Sequence, residues 1–481
     1  MSGNSHSAGF VRVDREKATR RSLIERRKEL AKEESQRTGR DADLPLIFGS
    51  SWGEHRPHNL RAPASVRPPV HRASSKTVGI ALPFLAETGP AMDGAFIGPD
   101  LLSRGMFSWD PWIAKDARVI RSESMAIIGV KGSGKSMLAK SMATRLCRLH
   151  RRIAVPHDPN GEWTRVAEWV GGKTIRLGPG SRHRINFLDP GPRPSILSDD
   201  GWEYDVHQFQ SQRLQAAVKI LRQTTVLPEQ EHTVIDLVLQ AVRSRHTHVL
   251  IQQVYDELMN PTGEFADEIR RDGVGLQHTL RRIVRGDVAG MFDAPTSVGF
   301  DLDTPMVTVD TSMIEKASAE ARALMRLATN DWIDRSTGAS DQARMVIHEE
   351  AAVALLTEIA SGSGLEQRAA DEKVARHKRK SNVYLIHRIA DLDALGDVGS
   401  ALHSQALGLL ADCETRVSYA QHPGELDRSA GVLGWNDTLR ELVSKQTQGV
   451  GLWQIGQSKI AHIRNVVTPE EEAIFSTGGV Q

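Results

Sequence analysis

Apolar positions along this chain follow two alternating patterns. Short consecutive runs read as buried strands: Met125-Ala126-Ile127-Ile128, Ile153-Ala154-Val155, Met306 to Val309, Met345 to Ile347, Val383 to Ile386, Val417 to Ala420 and Leu452 to Ile455. Between several of them lie stretches with helical periodicity. Ser136 to Leu149 places Leu138, Met142, Leu146 and Leu149 on one face, and Ala319 to Ile333 predicts a second helix. Strand–helix alternation of this kind implies an α/β fold with a mainly parallel sheet and helices on both faces.

One region departs from the alternation. Residues 199–299 read as an all-helical insertion between two core strands. Leu214, Val218 and Leu221 share a face, as do Val234, Leu237, Val238 and Val242, and Thr247 is placed to cap a helix carrying Leu250, Ile251, Val254 and Leu258. The core is then split into 121–198 and 300–481. Residues 76–120 form a small β lead-in, through Val78 to Leu82, Phe96 to Asp100 and Met106 to Asp110. Residues 1–75 are a polar, basic, partly disordered arm: Arg12 to Arg40 holds 11 Lys/Arg against 6 Asp/Glu, with a charged helix predicted from Arg15 to Gln36, and Pro57, Pro63, Pro68 and Pro69 follow.

Composition narrows the class without naming the chemistry. The chain has 481 residues, 40% hydrophobic and 25% charged, as expected of a soluble globular protein. A net charge of +1 gives no whole-molecule field for nucleic acid, so any such contact needs a local patch. The two cysteines, Cys147 and Cys413, lack metal-ligand spacing and read as buried thiols in a reducing cytoplasm. No apolar run is long enough to span a membrane.

The strongest chemical signal is Gly129-Val130-Lys131-Gly132-Ser133-Gly134-Lys135-Ser136, a full G-x-x-x-x-G-K-[ST] match set between a short apolar strand and an amphipathic helix. Its glycines let backbone N–H groups form a nest for phosphate oxygens, and the helix N-terminus adds its positive dipole end. Lys135 is expected to reach the β- and γ-phosphates of ATP, and Ser136 to offer its hydroxyl to Mg2+. Hydrolysis needs an acidic partner. About 210 residues on, the strand Met345-Val346-Ile347-His348 ends in Glu349-Glu350. Glu349 is assigned to the metal through water and Glu350 to the attacking water. Glutamate at the metal position reaches one methylene further than aspartate, and His348 before the pair leaves a register one residue earlier open.

With these pieces in order, the chain resembles the VirB-type transfer ATPases of type IV secretion and conjugation, within the HerA/FtsK superfamily. The similar segments include Gly98-Pro99-Asp100 through Trp112, Asp158-Pro159-Asn160-Gly161-Glu162-Trp163, Ile185-Asn186-Phe187-Leu188-Asp189, Glu349-Glu350-Ala351-Ala352, Arg379-Lys380, His387 to Leu392, and the tail Pro469 to Thr477. The resemblance implies a RecA-like P-loop NTPase core of the ASCE type, assembled as a homo-hexamer with ATP at subunit interfaces. It implies that Glu162 lies near the nucleotide and that His387 replaces a sensor glutamine at the γ-phosphate. It also implies that Arg379, or Arg376 or Lys380 beside it, reaches the neighbouring subunit's nucleotide. The same Arg376 to Lys380 run reads equally as a solvated charged face, and His387 as a plain polar strand end. Secretion or conjugation apparatus subunits, and single- or double-stranded DNA, are the implied partners, and a cytoplasmic place at the inner face of the cell membrane the implied location.

Three readings follow: an ATPase that energises transfer or assembly, a DNA translocase or coupling protein of the same superfamily, and a hydrolysis-poor ATP-binding scaffold. Phosphate release separates the third from the others, and a basic pore lining separates the second from the first.

Overall fold

A computed structural model describes residues 92–349, 379–393 and 407–476, apart from 179, 195–196, 225, 287, 293, 298, 300–302, 338–341 and 409. The arm at 1–75, Val78 to Leu82, Glu350 and Arg376 to Lys378 lie outside the described residues.

The described part of the chain begins with an antiparallel pair, β1 (Ala95–Pro99) and β2 (Met106–Trp109), followed by α1 (Pro111–Asp116). Asp110 caps α1 by accepting from the amides of Trp112 and Ile113. The core begins with β3 (Met125–Ile128), α2 (Lys135–Arg148), β4 (Arg152–Asp158), α3 (Glu162–Trp169) and β5 (Lys173–Arg176). Five helices follow: α4 (Asp199–Arg222), α5 (Glu229–Arg243), α6 (Ile251–Met259), α7 (Ala266–Asp272) and α8 (Val274–Arg285). The alternation then resumes with β6 (Met306–Asp310), α9 (Ala319–Thr337), β7 (Arg344–His348), β8 (Lys380–Ile386), the single turn α10 (Ala390–Asp393) and β9 (Thr415–Ser418). The described chain ends with α11 (Pro423–Leu433), α12 (Asp437–Ser444), β10 (Val450–Ile455), β11 (Lys459–Arg464) and α13 (Pro469–Phe475). Among the described residues no helix is long and apolar enough to cross a membrane.

Among the described residues nine strands form one sheet in the order β11-β10-β9-β3-β8-β7-β4-β6-β5. From β9 to β5 every pairing is parallel, and β10 and β11 add an antiparallel edge. The seven core runs read as buried strands are all present. Two strands carry no comparable signal: β5 (KTIR) buries one residue fully, and β11 alternates partly exposed positions at the sheet edge.

Side chains alternate between the two faces, as the pleat demands. Met125 and Ile127 of β3, Ile153 and Val155 of β4, and Val383 and Leu385 of β8 join one core with α2, α3 and the β1–β2 pair. Ala126, Ile128, Tyr384 and Ile386 face a second core beneath α11 and α12, while Ala154 and Val346 face a third with α9 and the five-helix segment. Leu149, read as part of the α2 face, is exposed: α2 ends at Arg148, and His150 turns the chain with φ 58°. Thr247 does not cap α6 either. That helix starts at Ile251, where the Gln253 side chain accepts from the Leu250 amide.

Polar side-chain contacts hold the peripheral pieces. Asn186 donates to Val249 O at 2.9 Å and Asp189 accepts from Thr296, which ties the Ile185 to Asp189 segment to the five-helix segment. The buried Arg213 of α4 pairs with Asp331 of α9 and lies over Phe187 and Phe209. At the other end, Thr468 and Glu471 form a capping box on α13, and Glu471 pairs with Arg145 of α2 at 2.6 Å.

Candidate nucleotide site

Parallel strands point their carboxyl ends at one edge of the sheet, where ligands bind in such folds. The glycine loop leaves β3 at this edge and is pinned from both sides. The Gly129 amide donates to Ile386 O at the end of β8, and the Val130 amide donates to Ala420 O beyond β9, both at 3.1 Å. A Cβ on Gly129 would stand 2.6 Å from Tyr419 Cβ. Gly134 begins α2 with φ 112°, and a Cβ there would stand 3.1 Å from Gly449, whose amide donates to Ser133 O. Both positions therefore require glycine.

The resulting helix start has the chemistry of an anion site. No side chain caps α2, so its first amides, at Lys135, Ser136 and Met137, have no helical acceptor. Lys135 folds inward and is 4% exposed, donating to Gly129 O at 2.5 Å and Val130 O at 3.0 Å. Burial pushes its ammonium down to about 8, opposed by the nearby Glu349 carboxylate. Ser136 is half-buried in the first helical turn, while Lys131 and Gly132 are exposed at the mouth. This donor set fits a triphosphate, and Ser136 with an acid opposite fits its Mg2+.

Strand order supplies that acid. β8 lies between β3 and β7, so Glu349 leaves β7 two strands from the loop. His348 turns into the sheet layer, its ring stacked 5.0 Å from Tyr384 and its Nε2 3.3 Å from Asn382 Oδ1. Glu349 Oε1 accepts from Trp163 Nε1 at 2.6 Å. Burial pushes the Glu349 carboxyl up to about 7. The Trp163 bond and Lys140 pull the other way, and Glu162 and Asp158 add to the rise.

Glu162 and Trp163 begin α3, which is held by Asp158 at the end of β4. Asp158 Oδ1 accepts from the Glu162 amide and Oδ2 from the Trp163 amide. Glu162 pairs at 2.8 Å with Lys140 of α2, a lysine only 1% exposed. Lys140 also donates to Phe475 O at 3.3 Å and lies 5.9 Å from the Trp163 ring centroid. Glu162 thus contacts a buried cation of the loop helix. Lys140 carried no sequence signal as a functional residue, because a lysine in an amphipathic helix normally reads as solvent-facing.

The remaining expected residues divide. His387 is exposed and directly follows Ile386, which places it beside the loop. Arg379 precedes β8 at the opposite end of the strand, roughly 23 Å away at about 3.3 Å per residue. It is exposed, with φ 41°, and its carbonyl accepts from Trp112 Nε1 and the Arg344 amide.

A second buried group bears on acid stability. His157 Nδ1 contacts Thr311 Oγ1 at 2.7 Å, and its Nε2 is buried without a partner. Burial, with Arg326 and Arg322 nearby, holds its pKa well below 6.5. The neutral ring is the folded form, so its stability contribution is complete above 6.5 and is lost as pH falls below it. The thermal midpoint is expected to drop between about pH 7 and about pH 5.5, and to drop less in His157→Gln. Equal drops in the two proteins would remove His157 as the cause.

No protein family and no curated protein matches this sequence. Among solved structures, VirB4 of Thermoanaerobacter pseudethanolicus superposes with a TM-score of 0.64 at 18% identity, over 80% of this chain and 100% of that one. The bacterial conjugative coupling protein TrwBdeltaN70, in its unbound monoclinic form, gives 0.53 at 12% identity over 79% and 90%. TrwB in complex with ADP and Mg2+ gives 0.50 at 12% identity over 82% and 92%. These likenesses establish the fold alone, a RecA-like α/β core with a mostly parallel central sheet.

Proposed function

We propose that this chain is an ATP-hydrolysing motor of the type IV secretion and conjugation kind. One observation carries the reading: an uncapped helix start inside a glycine loop, with a buried lysine folded into it and an acid delivered across one intervening strand. The loop amides and Lys135 bind the β- and γ-phosphates and withdraw charge from the bond that breaks. Ser136 and, through water, Glu349 would hold Mg2+, which would supply charge neutralisation at the phosphate oxygens. Glu350 orients the attacking water, and His387 donates one hydrogen bond to the γ-phosphate. Arg379 is too far from its own loop to act there, so its role is at the γ-phosphate of a neighbouring subunit in a homo-hexameric ring. The ring works at the inner face of the cell membrane with secretion or conjugation subunits. DNA is the second partner class, and stimulation of turnover by single- or double-stranded DNA distinguishes a translocase from an assembly motor.

The test is steady-state phosphate release by the purified chain with ATP, in Mg2+ and in excess chelator. Release that depends on Mg2+ is expected. Nucleotide binding without any Mg2+-dependent release would replace the motor with an ATP-binding scaffold.

A further inference from the structure

Glu349 is the only described acid that follows a strand adjacent to β8 on the side away from β3, and it does not stand alone. A glutamate has one more rotatable bond than an aspartate, and holding its carboxylate in one place costs more side-chain entropy. In this chain that freedom is removed from outside the strand. The Trp163 indole N–H takes Oε1 at 2.6 Å and leaves Oε2 uncommitted in that contact.

The indole is itself fixed. Its ring is fully buried, its amide is held by Asp158 at 2.8 Å, and Lys140 sits over its face while pairing with Glu162. Lys140 belongs to α2, the helix that begins at the phosphate loop. The hydrogen bond therefore connects the loop helix, through the first turn of α3, to the acid at the end of β7. A short donor on one oxygen and a fixed ring behind it are what a glutamate needs to present its other oxygen reproducibly.

We propose that Trp163 is a positioning residue for Glu349, locking the longer acid so that it serves the Mg2+ of a bound nucleotide. This rests on the reading of the loop as a nucleotide site. The tether matters only because the acid is a glutamate. Shortening it by one methylene withdraws the carboxylate from the indole, and an aspartate at this position makes no use of the bond.

The test is a double-substitution cycle on the full chain, with Trp163→Phe and Glu349→Asp alone and together. The primary readout is the gain in ATP affinity on adding Mg2+, which needs no turnover. Trp163→Phe is expected to reduce that gain about tenfold beside Glu349, and less than about twofold beside Glu349→Asp, the size of a coupling between contacting residues. Affinity in chelator is expected to be unchanged throughout. The second readout is the 15N–1H indole spectrum of nucleotide-free protein. With nine tryptophans, the Trp163 resonance is identified by its absence from Trp163→Phe. It is expected downfield of the other indoles, and to move upfield in Glu349→Asp. Equal losses beside either acid, or an indole resonance indifferent to Glu349→Asp, would overturn the proposal while leaving the nucleotide site standing. A chain that binds no ATP in either condition overturns both.

Discussion

Lys135→Ala is expected to lower Mg2+-dependent phosphate release about 10²–10³-fold, the scale on which one preorganised charge acts on a transition state. It should weaken ATP binding while leaving the fold almost untouched. The two effects separate because the ammonium contributes differently to each. In the nucleotide-free loop Lys135 makes two hydrogen bonds to backbone carbonyls, yet it is 4% exposed and burial pulls its pKa down to about 8. Losing the bonds and losing the buried charge offset each other, so stability should change by no more than about 1 kcal/mol. With triphosphate present no such offset exists, because the ammonium meets negative charge at short range. Phosphate release and a denaturant titration on the same preparation check both halves. An unfolded variant, or one with wild-type turnover, would contradict the assignment.

Glu162→Ala carries the second large expectation, and it concerns stability. Lys140 and Glu162 form an asymmetric pair: their side chains are 2% and 27% exposed. Removing the glutamate leaves the lysine buried without its paired carboxylate, with the Phe475 carbonyl as its remaining acceptor among the described residues, at 3.3 Å. Breaking a buried pair in this sense costs about 3 kcal/mol. Removing the lysine instead, as Lys140→Met, leaves a carboxylate that can turn to water and a side chain of similar volume in the cavity, for a cost of about 1 kcal/mol. Denaturant midpoints of the two variants are expected to differ in that order. Equal losses would mean that the pair is solvated. A stable Glu162→Ala protein with impaired ATP binding would favour a role for Glu162 near the nucleotide over a purely structural one.

Much of the architecture is legible in residue order because it depends on short-range rules. The loop is recognisable from Gly129 to Ser136 since its glycines meet local backbone demands, at φ 112° for Gly134. The strands β3, β4, β6, β7, β8, β9 and β10 announce themselves as apolar runs, because a strand covered on both faces, parallel or like the antiparallel β10, is apolar at successive positions. The pattern is silent where burial is partial. β5 and β11 sit at the sheet edges, Leu149 falls just past a helix end, and α6 begins at Ile251 rather than near Thr247.

The chemistry of the site divides along the same line. The chain by itself determined a glycine loop of the G-x-x-x-x-G-K-[ST] pattern between strand and helix and an acidic pair after a later strand, since each is contained in a few consecutive residues. Only the tertiary structure decided that β8 separates β3 from β7 and that His348 turns against Tyr384. The same holds for the buried Lys140 that holds Glu162, for the distance from Arg379 to its own loop, and for the Trp163 hydrogen bond to Glu349. Trp163 and Glu349 lie 186 residues apart in the chain. No periodicity or spacing encodes such a contact, because it exists only once the order of strands in the sheet has brought their carboxyl ends together.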